Sequence, residues 1–115
     1  MKPMKKKFLP AFAGLKAGAK DGGIRLQYIL GMCALMAGFL LRLTMLEWAL
    51  VIVCIGMVVA MEMVNTCIEK VCDLYTKEED LRIKTIKDLA AGAVLVTGLA
   101  SLACAIIILV RHLSF

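Results

Sequence analysis

The stretch LAAGAVLVTGLASLACAIIILV, Leu89 to Val110, decides the fold, because it runs for 22 residues without a charge. At about 1.5 Å per residue, a helix of that length covers roughly 30 Å, the thickness of a bilayer's hydrocarbon core. It is therefore predicted to span a membrane. The rest of the chain agrees: 62% of its residues are hydrophobic and its mean hydropathy is +0.88, too apolar for a soluble domain of 115 residues. Two earlier apolar runs are shorter but extend helically. Tyr28 to Leu41 lengthens back to Ile24 with Arg25 able to snorkel, and Ala49 to Met61 begins at Trp48 and continues through Glu62 to Val64. The prediction is a single all-α membrane domain over residues 1–115, with spans at about 24–42, 48–64 and 89–110.

Ahead of the first span, Pro10 fits the first turn of a helix, and Phe12, Leu15 and Ala19 follow at helical spacing. This predicts an amphipathic helix over about 9–20 lying on the membrane surface, as an anchor or as a wall over a site. Met1 to Lys7 is basic and an apolar stretch follows, but Pro10, Gly14, Lys16, Lys20 and Asp21 interrupt it, so it lacks the apolar core of a signal peptide. Asp21, Gly22 and Gly23 predict a break before the chain enters the membrane.

Twelve of the fourteen Lys and Arg residues lie at Lys2 to Arg25 and at Lys70 to Lys87, leaving Arg42 and Arg111 at the opposite ends of the spans. The positive-inside rule puts the N-terminus and the Lys70 to Lys87 segment in the cytoplasm and the C-terminus outside. A net charge of +5 beside membrane spans, without a reader motif, matches anionic headgroups better than nucleic acid. The five cysteines lack CxxC spacing and mostly fall in or beside apolar helix, where a thiol behaves as a small hydrophobe. His112, next to Arg111, reads as a surface residue.

Glu62 breaks the second span. An ionised group near the bilayer centre costs roughly 2.5 to 3.5 kcal/mol on the lenient insertion scale, so such residues face a protein interior or a watery cavity. Glu62, Asn65, Glu69 and Asp73 follow one another at intervals of three, four and four, which places them within a stripe roughly 80° wide on one helix. Val64, Ile68, Val71 and Leu74 lie on the other side, and the pattern continues unbroken to Tyr75. Counting from Trp48 at the outer boundary, Glu62 lies roughly 21 Å inward and Glu69 another 10 Å or so beyond. The first carboxylate is at acyl-chain depth and the second at headgroup depth. Such a ladder suits a reaction between a membrane-resident hydroxyl and a water-soluble phosphate.

Across the charged turn Thr76 to Asp80, Lys87 and Asp88 mark the cytoplasmic mouth of the third span, with Lys84 as a possible accessory. Lysine there can neutralise phosphate and aspartate can orient it or help hold a metal. Equally, Lys87 can be a topology marker and Asp88 a helix N-terminal carboxylate favoured by the macrodipole. Neither GxxxxGK[ST] nor GxGxxG occurs in the chain, so any nucleotide site is neither P-loop nor protein-kinase-like.

At these residues the chain resembles the small prokaryotic diacylglycerol kinase and undecaprenol kinase family. The matching segments are EMVNTCIEKVCDLYT, Glu62 to Thr76, and IKTIKDLAAGAVLV, Ile83 to Val96. The resemblance implies a homotrimeric bundle in the bacterial plasma (inner) membrane that moves the γ-phosphate of ATP to a lipid alcohol, with Mg2+ accompanying the nucleotide. It further implies that Glu62 is the general base, Glu69 and Asp21 metal ligands, and Asn65, Asp73, Lys87 and Asp88 the substrate- and ATP-binding residues. Asp21 is one methylene shorter than the family's usual Glu, Gly23 and Gln27 stand where Gram-positive members tend to have Asn and His, and the surface helix is one residue shorter. VNT after Glu62 and the LAAGAVL stretch lean towards undecaprenol over diacylglycerol. The rival from another class is a small oligomeric pore or assembly subunit, packed through Gly14, Gly18, Ala34 and Gly38 and using the Glu62 face for assembly or ion passage. It predicts no lipid product and predicts that Lys87 and Asp88 tolerate other polar residues.

Overall fold

In the computed structural model of the chain, residues 4–114 are described; Lys2, counted above towards orientation, lies outside them. Four helices follow in order: α1 (Met4–Gly18), α2 (Gly22–Leu41), α3 (Met45–Tyr75) and α4 (Leu81–Leu113). Among the described residues there is no strand. Three of the helices, α2, α3 and α4, are long and apolar enough to cross a membrane, and the protein is membrane-embedded. Large apolar side chains such as Met36, Phe39, Ile52 and Ile107 face outward, as they should where lipid is the solvent.

Each helix end has a local cause. Asp21 caps α2, its Oδ2 accepting the Ile24 N–H at 3.0 Å. Arg42 closes the same helix in a left-handed conformation (φ 56°), its N–H returning to carbonyls of the last turn. α3 opens with a capping box: Thr44 Oγ1 accepts the Glu47 N–H at 3.3 Å and Glu47 Oε1 accepts the Thr44 N–H at 2.9 Å. Asp80 caps α4, accepting the Arg82 N–H at 2.8 Å. One expectation fails at α1, which begins at Met4 and holds Pro10 in its interior. Lys5 to Lys7 are good helix formers upstream of the proline, and the helix continues through it with one backbone bond missing.

α3 and α4 make the broadest contact, and α2 packs on α3. Three glycines on one face of α2 set the second packing. A Cβ on Gly23 would lie 2.8 Å from Glu62 Oε1, one on Gly31 2.9 Å from Ile55, and one on Gly38 2.7 Å from the Trp48 ring. The partners step up α3 as the glycines step down α2, as antiparallel helices in close approach require. Trp48 also tilts against Phe39, with ring centroids 5.0 Å apart. Over this seam α2, α3 and α4 enclose an apolar groove of about 480 Å³, lined by Gln27, Ala34, Cys54, Val58, Ser101 and Cys104 among others.

Where α3 begins and α4 ends, His112 is not a free surface residue. Its Nε2 stands 2.9 and 3.0 Å from the two carboxylate oxygens of Glu47, tying the C-terminal end of α4 to the first turn of α3. Glu47 lies one residue outside the apolar span that starts at Trp48. The Thr44 N–H, followed by His112, holds its carboxyl down to about 2 from an ordinary value of 4.5. A depressed carboxyl stabilises the fold above its unfolded value, and that contribution is lost as the pH falls from 4.5 towards about 2. The thermal midpoint of the wild-type protein in micelles is therefore expected to exceed that of Glu47→Gln above pH 4.5. The gap should shrink across the acid window; a gap unchanged by pH would contradict the assignment.

Candidate functional site

Helix lengths decide what projects from the membrane. α3 has 31 residues and α4 has 33, so they measure roughly 46 and 50 Å against a core of about 30 Å. Both extend well past the bilayer at the end joined by residues 76–80, and the polar stripe of α3 runs along that extension.

Glu62 is half-buried. Its Oε1 lies against the first turn of α2, where Gly23 has no side chain, and Asp21 Oδ2 flanks the same point: the Cβ that Gly23 lacks would be 3.5 Å from it. Glu62 and Asp21 thus flank Gly23 together across the α2–α3 contact, although 41 positions separate them in the sequence. One turn further along α3, Asn65 is 9% exposed. Its Nδ2 donates to Glu69 Oε1 at 3.2 Å, while its Oδ1 is buried without a partner. Leaving a buried amide oxygen unpaired costs about 1 to 3 kcal/mol, the kind of debt that a bound group can relieve. Glu69 itself is exposed.

Further out, Lys87 Nζ donates to Asp73 Oδ1 at 2.9 Å across α3 and α4. The hydrogen bond from Lys87 holds the Asp73 carboxyl below its usual range, and the same bond holds the lysine above its own. Asp88 instead pairs along α4 with Lys84 at 2.6 Å, so it does not join the Asp73–Lys87 pair. Lys77, Asp80, Lys84, Lys87 and Asp88 border a polar cleft of about 590 Å³ at the α3–α4 turn. The structure therefore brings Asp21 towards Glu62 across α2 and α3, links Asn65 to Glu69 one turn further along α3, and pairs Asp73 with Lys87 beyond, with Lys84 and Asp88 on the cleft beside that pair.

Two residues stand out here that periodicity does not single out. Gly23 reads in sequence as part of a break and as a departure from the family's Asn, but nothing there signals that Glu62 rests against it. Lys77 lines the cleft, and its only sequence signal is a cation in the turn four residues after Asp73. The apolar side of α3 points the other way, with Val64, Val71 and Leu74 exposed, and on the polar stripe it is Glu62 and Asn65 that turn into the protein while Glu69 stays exposed.

Among the described residues, no three of the His, Cys, Asp and Glu side chains stand close enough to form a ready metal cage. Magnesium does not require one, since it commonly binds through one or two carboxylates, waters and substrate phosphates. The hard oxygen donors Asp21, Glu62 and Glu69 and the unpartnered Asn65 Oδ1 fit such an ion.

Residues 10–109 match the family described as prokaryotic diacylglycerol kinase. Over 70 residues the chain is 41% identical to the undecaprenol kinase of Bacillus subtilis (strain 168), a stretch covering 60% of this chain and 57% of that protein. No solved structure matches the chain. With the family match running over all but the first nine and last six residues, the chain belongs to the prokaryotic diacylglycerol kinase family.

Proposed function

We propose that this protein transfers the γ-phosphate of ATP to the hydroxyl of a membrane lipid alcohol, with undecaprenol favoured over diacylglycerol. The observation that carries the reading is the graded polar stripe. A half-buried carboxylate at acyl-chain depth, Glu62, is followed by Asn65 and Glu69 at headgroup depth and by the Asp73–Lys87 pair beyond. Family membership and the name of the Bacillus subtilis relative support the same chemistry and the lean to undecaprenol.

In this mechanism the lipid hydroxyl enters from the bilayer to Glu62, which takes its proton as the oxygen attacks the γ-phosphorus. The bond to the β-phosphate oxygen breaks, and the products are the lipid monophosphate and ADP. Positioning and charge neutralisation dominate such transfers, so the chain needs little covalent chemistry of its own. Asn65 orients the transferring group. Lys87 exchanges its Asp73 partner for phosphate oxygens, and Asp73 and Asp88 complete the nucleotide site. Glu69 and Asp21 would hold Mg2+ together with the nucleotide, and the ion would supply charge neutralisation at the phosphates.

The assembly is a homotrimer in the bacterial plasma membrane, with the N-terminus and the α3–α4 turn in the cytoplasm and the C-terminus outside. The distribution of Lys and Arg supports that orientation. The exposed apolar faces of the three long helices leave ample surface for neighbouring copies.

Purified protein in lipid micelles, given ATP labelled at the γ-position and either undecaprenol or diacylglycerol, is expected to yield labelled lipid monophosphate, faster with undecaprenol. Absence of labelled lipid from both alcohols would sink the kinase reading and favour the pore or assembly subunit.

A further inference from the structure

We propose that Gly23 is a positioning residue for Glu62: the notch left by its missing side chain fixes where the carboxylate rests. This rests on the reading of Glu62 as the general base.

The contact is specific. Of the two adjacent glycines that open α2, a Cβ on Gly22 would meet nothing within 4 Å, whereas one on Gly23 would lie 2.8 Å from Glu62 Oε1 and 3.6 Å from its carboxyl carbon. In this chain, which has Gly23 where Gram-positive members tend to have Asn, the carboxylate thus occupies the volume that a Cβ at 23 would fill. The wall it rests on is well held. Ile24 is 5% exposed, its N–H is taken by Asp21 at 3.0 Å, and Tyr28 Oη donates to the Leu15 carbonyl at 2.9 Å, fastening α1 to the same turn.

A methyl group added at 23 therefore meets a rigid backbone on one side and the tip of a flexible side chain on the other. The tip is what yields. Gly23→Ala should leave the fold intact and move the Glu62 carboxylate by some tenths of an ångström, away from the first turn of α2 and from Asp21. Misplacement by about 1 Å can cost on the order of 100-fold in rate, so a smaller displacement of a general base should cost about tenfold. ATP binding should not follow, because Asn65, Glu69 and Lys87 are untouched by the added methyl.

The test is steady-state kinetics and thermal unfolding in micelles on Gly22→Ala, Gly23→Ala, Glu62→Asp and the double variant Gly23→Ala/Glu62→Asp. Gly23→Ala is expected to lower kcat by about tenfold with the ATP KM and the thermal midpoint unchanged, while Gly22→Ala matches wild type. Aspartate at 62 is one methylene shorter and withdraws from the notch, so Gly23→Ala should cost less than about twofold in that background. A wild-type kcat for Gly23→Ala, a parallel fall in its thermal midpoint, or losses that simply multiply in the double variant would each overturn the proposal. If Glu62→Gln turns over normally, the base reading itself has failed; if Glu62→Gln is inactive while Gly23→Ala is normal, only the positioning role falls.

Discussion

Glu62→Gln is expected to abolish measurable lipid phosphorylation while leaving the protein folded and able to bind ATP. The amide keeps the shape of the carboxylate and still fits against Gly23, but it cannot take the proton from a lipid hydroxyl. Loss of a positioned base costs typically 100- to 10,000-fold. Because that interaction is made only as the oxygen attacks, kcat and kcat/KM should fall together and the ATP KM should hold. The thermal midpoint should stay level or rise, since the substitution removes a half-buried charge that stands across from Asp21. Turnover of labelled ATP onto undecaprenol, measured beside nucleotide binding and unfolding in the same micelles, checks all three. Wild-type turnover in this variant would remove Glu62 as the base.

Glu69→Gln should act through magnesium instead. Its amide oxygen can still accept from Asn65 Nδ2, so the 3.2 Å contact within α3 survives while the negative charge is lost. A carboxylate that holds a metal contributes more than the groups behind it, whose removal alone costs 10- to 100-fold in affinity. The Mg2+ concentration that supports half-maximal rate at fixed ATP is therefore expected to rise by about 100-fold or more. Glu69 is exposed, so the thermal midpoint should move little. An unchanged magnesium dependence would exclude it as a ligand, and Asp21→Asn, by contrast, would also weaken the cap it gives to Ile24.

The spans were legible in sequence because lipid solvation writes itself as uninterrupted apolar length, and the polar stripe was legible because four residues repeat at helical intervals. Both are properties of one helix at a time. The contacts between helices were not legible: Glu62 against Gly23, Asp73 with Lys87, and Glu47 with His112 join positions 39, 14 and 65 residues apart. Periodicity places each of these side chains on a face but does not say which face it meets. Asp88 illustrates the difference, since spacing sets it beside Lys87 at the mouth of the span while the folded chain turns it to Lys84. Pro10 illustrates another, because a local preference for a first turn yielded to the helix-forming lysines before it.

The Glu47–His112 contact has a mechanical meaning. α3 and α4 are joined at one end by the polypeptide through residues 76–80 and at the other by this pair. Two rods fastened at both ends can bow, but neither can ratchet lengthwise past the other without tearing a fastening. The register that sets Asp73 beside Lys87 is thereby locked from the far side of the membrane. α2 is joined to α3 by the polypeptide only through residues 42–44; its other end is steadied from α1 instead, where Tyr28 reaches the Leu15 carbonyl.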